Sequence, residues 1–115
     1  MNSLASSQTI DELDPTSTPD WNRQHPAWKT LTAEERVTVY QLTSKEIVFR
    51  QVSKPLRLKL IGLVMTHMRK LSMKMSMGQF DRNAPHWMPD ASGLTQYAGG
   101  KWSDLVELAL KEVEA

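Results

Sequence analysis

Residues 56–75 carry apolar side chains at a spacing that fits one face of a long helix. At 100° per residue these side chains fall within an arc of roughly 140°, which is a broad core-facing stripe. The stripe consists of Leu56, Leu60, Leu63, Val64, Met68, Leu71 and Met75. A strand over the same span would need a pairing partner, and the sequence offers no second convincing strand pattern. We therefore predict a helix over 55–77, ended by Gly78, and an all-α fold.

A second helix is predicted upstream of this stripe. The segment Thr32-Ala-Glu-Glu35 has the pattern of a capping box, in which the threonine hydroxyl accepts from a backbone N–H and the glutamate reaches back. The predicted core-facing positions then recur at helical spacing from Val37 through Tyr40, Ser44 and Ile47 or Val48 to Val52. Because Pro55 pushes the residue before it out of the α region, the helix must end ahead of that proline. The prediction is a helix over 33–53.

The remaining segments complete a small all-α domain. A third helix is predicted over 103–114, with acidic side chains in its first turn and apolar side chains at helical spacing. Residues 1–27 have the composition of an extended or disordered tail, and residues 78–102 are predicted as a long loop containing aromatic side chains. Residues 28–115 then form one helical domain, in which the first two helices pair as an αα-hairpin and the C-terminal helix closes over one side.

Charge is distributed unevenly along the 115 residues. The formal net charge is only +1, but residues 1–20 hold four acidic and no basic side chains. Residues 50–82 hold eight basic side chains and one acidic side chain. This asymmetry predicts a directed electrostatic contact, either with a partner or between the acidic tail and the basic middle of the same chain.

Absent sequence features narrow the class of protein. The chain has no cysteine, which excludes a disulfide framework, a thiolate zinc site and a cysteine nucleophile. The longest apolar stretch, residues 60–65, is far shorter than the roughly twenty residues of a membrane-spanning helix. The N-terminus lacks the basic start and apolar middle of a secretory signal, and its acids disfavour a mitochondrial presequence. We expect a soluble intracellular protein, cytoplasmic by default.

The function predicted from these features is that of a non-enzymatic binding or adaptor protein that docks onto a larger protein assembly. In a solvated tail the large apolar surface of an indole would stay exposed to water, so tryptophan there indicates a contact. Methionine side chains adapt to different packing arrangements, so methionine-rich faces suit surfaces that bind a partner. The candidate partner-binding residues are Trp21, Trp28, Met73, Met75, Met77, Phe80, Trp87 and Tyr97.

The alternative prediction is a nucleic-acid-binding accessory protein. Basic side chains border the apolar stripe of the helix predicted over 55–77, and such a row can follow phosphates. The candidate residues for this role are Arg57, Lys59, Arg69, Lys70, Lys74 and Arg82. The sequence contains no helix-turn-helix, zinc-finger or RNP signature, and basic side chains beside an apolar face also arise when their stems cover the core.

A copper site is a further interpretation of the methionine-rich stretch MTHMRKLSMKMSM, residues 65–77. Thioethers together with the imidazole of His67 would select Cu(I). On a continuous helix, however, residues two apart point about 200° from each other, so Met73 and Met75 could not share an ion. We favour core or interface packing for these methionines, and we predict no metal and no cofactor.

Catalysis is not predicted either. The loop offers Asp81, His86 and Asp90, which are residue types that perform general acid–base chemistry. No glycine-rich phosphate loop, nucleophile elbow or metal-binding helix motif accompanies them. We therefore expect a protein that is not an enzyme and has no small-molecule substrate.

Residues 26–46, PAWKTLTAEERVTVYQLTSKE, resemble the matrix-side segment of cytochrome c oxidase subunit 4. The resemblance covers about a fifth of the chain. Its matching positions are Trp28, Leu31, Thr32, Glu35, Arg36, Val37, Tyr40, Lys45 and Glu46. This resemblance implies a third interpretation, a diverged subunit of a respiratory complex. In that family a single transmembrane helix follows the segment, and the present sequence departs from the pattern because no such apolar stretch follows.

Overall fold

The computed structural model describes residues 30–114, which form five α-helices and two 3₁₀ turns. The helices are α1 (Ala33–Thr43), α2 (Lys54–Lys70), α3 (Met77–Asn83), α4 (Ala91–Leu94) and α5 (Trp102–Glu114). The 3₁₀ turns are Phe49–Gln51 and Thr95–Ala98. No strand occurs within the described range, and the predicted all-α fold is confirmed. The tail predicted over 1–27 lies outside the described residues.

The helix α1 begins at the predicted capping box. The backbone N–H of Glu35 donates to Thr32 Oγ1 at 3.1 Å, and the N–H of Thr32 donates to Glu35 Oε1 at 2.9 Å. Each side chain thereby satisfies a backbone donor that has no partner within the first turn of a helix. The start of α1 therefore follows directly from local sequence.

The end of α1 differs from the prediction. The helix stops at Thr43, so its predicted continuation to residue 53 is wrong. Lys45 adopts a left-handed backbone with φ of 68°, and the N–H of Glu46 donates to the carbonyl oxygen of Gln41. The chain then leaves the helix axis and buries Phe49, of which only 3% is exposed. Burial of a phenyl ring contributes about 1.5–3 kcal/mol, which favours this irregular path over a longer helix.

The buried face of α1 also differs from the predicted one. Val39 and Leu42 are buried, whereas Val37 is 42% exposed. Apolar residues occur on several sides of this helix, so their spacing alone did not determine which side faces the core.

The helix α2 ends at Lys70, and its predicted continuation to residue 77 is wrong. Ser72 takes a left-handed φ of 56°, and the N–H of Met73 donates to the carbonyl oxygen of Met68 at 2.9 Å. This arrangement is a Schellman motif, which usually has glycine at the left-handed position. Because serine stands there instead, the sequence gives no stop signal at this point.

The segment predicted as a loop, residues 78–102, contains all but the first residue of α3, the whole of α4 and a 3₁₀ turn. Ser76 precedes α3, and its hydroxyl accepts from the N–H of Gln79 at 3.2 Å. The N–H of Ala91, at the start of α4, donates to Asp81 Oδ1 at 2.8 Å. Helices of seven and four residues are too short to show a hydrophobic period, which explains why the loop prediction missed them.

The helix α5 begins at Trp102, one residue before its predicted start, and packs along α2. This is the principal helix pair of the described residues, whereas we expected α2 to pair mainly with the preceding helix. Gly62 permits the close approach, because a Cβ there would lie 2.6 Å from Val113 Cγ2 and 2.8 Å from the carbonyl carbon of Ala109. The core thus lies between α2 and α5, with α3 and α4 completing one side.

Candidate functional site

A cleft of about 730 Å³ opens on the surface between residues 45–50 and residues 86–97. The connection between α1 and α2 supplies one wall, and the segment between α3 and α5 supplies the other. We call it the aromatic cleft and define it by Ile47, Val48, Phe49, Trp87, Pro89 and Tyr97. Its apolar lining is continuous with the core through Phe49, yet Val48 at its edge is 50% exposed.

Three aromatic rings meet in the aromatic cleft. The rings of Phe49 and Trp87 stack with centroids 6.3 Å apart and planes inclined by 27°. The ring of Tyr97 lies 6.4 Å from that of Phe49, at an angle of 58°. Phe49 is buried, while Trp87 and Tyr97 each keep part of their surface accessible. Such stacked and tilted pairs are favourable for aromatic rings, and the accessible parts present an apolar surface to a further side chain.

Arg57 connects the two walls of the cleft. Its Nη1 donates to the carbonyl oxygens of Val52 at 2.7 Å and of Arg50 at 3.0 Å. Its guanidinium carbon lies 4.6 Å from the centroid of the Tyr97 ring, within the range of a cation–π contact. Arg57 therefore satisfies two backbone acceptors of the first wall while it contacts an aromatic ring of the second.

The charged side chains among the described residues that line the aromatic cleft are basic. Lys45 and Arg50 line it and are both exposed, as is His86. Among the described residues that line the cleft, none carries a carboxylate. Two exposed acids flank the lining in sequence: Glu46, whose Oε1 accepts a hydrogen bond from the Ser44 hydroxyl at 3.2 Å, and Asp90, which follows Pro89. An apolar group that carries negative charge beside it would complement this surface.

The structure separates the predicted partner-binding residues into three groups. Trp87 and Tyr97 line the aromatic cleft. Phe80 is completely buried and packs edge-on against Trp102 at a centroid distance of 5.4 Å, so it is a core residue with no surface for a partner. The predicted sites at Trp21 and Trp28 lie outside the described residues.

The third group consists of Met73, Met75 and Met77, which are half-buried against the core. The Asn83 side-chain amide donates to Met73 Sδ at 3.4 Å, and the indole N–H of Trp102 donates to the carbonyl oxygen of Met75 at 3.0 Å. The first two methionines lie beyond the end of α2 in an extended segment, not on the helix face that we predicted. Packing on this chain accounts for much of their apolar surface.

The predicted nucleic-acid residues are not equivalent in the structure. Arg57 contacts both walls of the aromatic cleft. Lys59 Nζ lies 2.9 Å from Glu35 Oε1 in an ion pair. The exposed members of the set are Arg69, Lys70, Lys74 and Arg82. The predicted row beside the apolar stripe is therefore interrupted by internal contacts.

Glu35 links α1 to α2 through one carboxylate oxygen. This oxygen accepts from the backbone N–H of Thr32 and from Lys59 Nζ, both at 2.9 Å. Burial alone would raise the pKa of Glu35, but the hydrogen bonds from Lys59 and Thr32 and the lysine charge outweigh it. They hold the pKa of Glu35 below its ordinary value. The interaction is structural, since it joins the start of α1 to α2.

The acid–base residues of the predicted loop have structural or solvent-exposed positions. Asp81 accepts from the Ala91 N–H, while His86 and Asp90 are exposed. Within residues 30–114, no group of three or more His, Asp or Glu side chains could hold a metal ion. Met65 and Met68, considered as copper ligands, are completely buried in the core.

Comparison with known proteins finds no protein family, curated protein or solved structure that matches this chain. The resemblance of residues 26–46 to a cytochrome oxidase subunit therefore stays a prediction. Across the described part of the chain, none of the helices has the length and apolar character needed to cross a membrane.

The sequence does not identify two residues that build the cleft: Phe49, which lines it, and Arg57, which contacts both of its walls. Apolar spacing predicts a helix through Phe49, and the basic row predicts a nucleic-acid contact for Arg57. The pattern Ile47-Val48-Phe49, three consecutive residues with high strand propensity, was a signal that the helix ends earlier. No sequence signal pairs these residues with Trp87 and Tyr97, because the contact depends on the tertiary fold.

Proposed function

We propose that this chain is a non-enzymatic binding protein that recognises a segment of another protein through the aromatic cleft. The observation that carries the proposal is the accessible aromatic surface of Trp87 and Tyr97, held beside an exposed valine at position 48. The cleft volume lies within the range of about 300–1,000 Å³ that is typical of ligand sites. A pocket for a small molecule encloses most of its ligand, whereas this cleft is open on the surface, which favours a side chain presented by a longer peptide.

The lining defines the chemistry of the partner segment. The anchor of the partner segment would be an aromatic or large aliphatic side chain. An aromatic side chain buries about 150–250 Å², which is enough apolar area to dominate a small interface. Lys45 and Arg50 favour acidic residues on either side of that anchor and would repel a basic segment. The proposed ligand is therefore an acidic peptide segment with an apolar anchor, displayed by a protein partner or a larger assembly.

A peptide-display selection against the full chain tests this proposal. We expect the enriched peptides to carry an aromatic or large aliphatic residue among Asp and Glu. Val48→Asp places a carboxylate in the cleft and should weaken these peptides by about 30-fold, which corresponds to about 2 kcal/mol for a central contact. Val37→Asp is the matched control, because Val37 is similarly exposed but lies on α1 outside the cleft. If the two variants lose peptide affinity equally, or if neither loses it, the aromatic cleft is not the binding site.

Charge reversal provides a second readout. The double variant Lys45→Glu/Arg50→Glu should lose the preference for acidic peptides, while Arg69→Glu/Lys70→Glu should retain it. If instead the chain binds DNA or RNA with an affinity that falls steeply with salt, and the second variant abolishes that binding, the nucleic-acid alternative is correct.

A further inference from the structure

We propose that Met73 is a site of reversible oxidation by hydroperoxides, at which the side chain of Asn83 directs the added oxygen to one side of the sulfur. Oxidation converts the thioether to a sulfoxide, which is polar and chiral. Neither Met73 nor Asn83 lines the aromatic cleft, so this site is independent of the proposed function.

Methionine supplies all the sulfur of this chain, since the sequence holds seven methionines and no cysteine. A hydroperoxide that reaches the protein therefore meets thioethers and no competing thiolate. A lone pair of the sulfur attacks one peroxide oxygen, the O–O bond breaks, and an S–O bond forms. The thioether loses two electrons, and the peroxide gains them and leaves as an alcohol or as water after it takes up a proton. A methionine sulfoxide reductase reverses the change, because it oxidises two thiols to a disulfide and releases water.

Burial divides the methionines of residues 30–114 into two sets. The buried set, with 7% exposure or less, consists of Met65, Met68 and Met88. The half-buried set, which keeps part of its surface accessible, consists of Met73, Met75 and Met77. Met73 lies in the extended connection between α2 and α3, directly after the left-handed Ser72. A peroxide reaches a buried sulfur only when the fold opens locally, so the half-buried set should react faster.

A hydrogen bond to its sulfur distinguishes Met73 within the half-buried set. The side-chain nitrogen of Asn83 donates to Met73 Sδ at 3.4 Å and to the carbonyl oxygen of Gln79 at 2.8 Å, and the second bond fixes the amide against α3. A thioether sulfur has two lone pairs, and the amide N–H occupies one of them. Oxygen is therefore added at the other lone pair, which gives one sulfoxide epimer in excess. At Met75 the backbone carbonyl, and not the sulfur, accepts the hydrogen bond of Trp102, so we expect no such preference there.

Limited oxidation of the full chain with hydrogen peroxide, followed by tryptic digestion and mass spectrometry, tests the site. Cleavage after Lys70 and Lys74 isolates Met73 in the peptide of residues 71–74, apart from the other methionines. We expect Met73 to oxidise about tenfold faster than the buried methionines. Oxidation of Met73 at the same rate as the buried set would overturn the proposal.

Reductases that each act on one sulfoxide epimer measure the stereochemistry in the digest. At Met73 one epimer should exceed the other about fivefold, which is the preference expected of one weak hydrogen bond. Asn83→Ala should remove this excess, whereas Met75 should give both epimers in similar amounts in either protein. Equal epimers at Met73 in the folded parent chain, or an excess that survives Asn83→Ala, would refute the role of Asn83.

Oxidation of the parent chain unfolded in urea is the control. All the methionines should then oxidise at one rate, and both epimers should form equally at Met73. An excess that persists in urea would show that the fold does not direct the oxygen, and the proposal would fail. This comparison uses the unchanged sequence, so it decides the question even where Asn83→Ala does not fold.

Reversal is measured on the intact oxidised chain. The reductase that acts on the dominant epimer, supplied with a dithiol before digestion, should return the peptide of residues 71–74 to its unoxidised mass. If the sulfoxide of Met73 persists in the folded chain while the same enzyme reduces the isolated peptide, the site is not reversible and the proposal is wrong.

Discussion

Replacing Gly62 with alanine should destabilise this protein, although alanine is the better helix former. An added Cβ would overlap the carbonyl oxygen of Ala109 and would lie 2.6 Å from Val113 Cγ2. Because the nearest atom belongs to the backbone of α5, a change of rotamer cannot relieve the overlap, and the two helices must move apart. Overpacking of this kind lowers the free energy of unfolding by about 1–3 kcal/mol. We expect about 3 kcal/mol here, because the overlapping atom belongs to the backbone. The gain in helix propensity is about 1 kcal/mol, so the expected net loss is about 2 kcal/mol.

Thermal and urea unfolding, followed by circular dichroism, measure this effect. A loss of about 2 kcal/mol should lower Tm by about 8–16 °C in a domain of this size. Gly78→Ala is the matched control, since Gly78 lies in α3 and an added Cβ there meets no atom within 4 Å. This control should be neutral or stabilising by up to about 1 kcal/mol. If Gly62→Ala proves as stable as the parent while Gly78→Ala behaves as expected, the close approach of α2 and α5 is refuted.

Two further predictions concern carboxylates with structural roles. Because the pKa of Glu35 is lowered in the folded state, its charge stabilises the fold at neutral pH. The difference in unfolding free energy between the parent and Glu35→Gln should be complete at pH 7, decline as the pH falls through 4.5, and vanish below the folded-state pKa. A difference that persists in acid would show that charge is not its cause. Asp81→Ala should lower the free energy of unfolding by about 1 kcal/mol in a urea titration, because the Ala91 N–H loses its acceptor. Asp90→Ala removes no capping hydrogen bond and should have a smaller effect in the same titration. Equal effects of the two substitutions would contradict the assigned cap.

Local sequence determined the parts of the fold that depend on neighbouring residues. The Thr32–Glu35 capping box fixed the start of α1, and the acidic first turn located α5 to within one residue. The predicted apolar stripe is buried in the middle of α2, where Leu60 and Met68 are completely buried. Ile61 and Met65, which lie outside the stripe, are equally buried, whereas Leu71 beyond the end of the helix is 52% exposed. These features involve side chains three or four residues apart, which is the distance over which sequence patterns carry direct structural information.

The remaining features depend on contacts between distant residues. Asp81 caps a helix that begins ten residues later, and Ser72 ends α2 without the glycine that normally marks such a turn. The aromatic cleft forms only because α1 ends at Thr43 and the chain then brings Phe49 against a ring far along the sequence. Trp87 and Tyr97 were predicted to bind a partner because aromatic side chains are unusual in a loop, and that role stays a prediction. Their meeting with Phe49 required the tertiary structure.

The pairing of α2 with α5 has a consequence for the synthesis of this protein. The first residue of α5 follows the last residue of α2 by 32 positions. At about 5–20 residues per second, a ribosome adds that segment in about 2–6 seconds. During this interval the apolar side chains of α2 have no α5 to cover them, and exposed surface of this kind promotes aggregation and recruits chaperones. A nascent chain halted before residue 102 should therefore associate with chaperones more strongly than one released after residue 114.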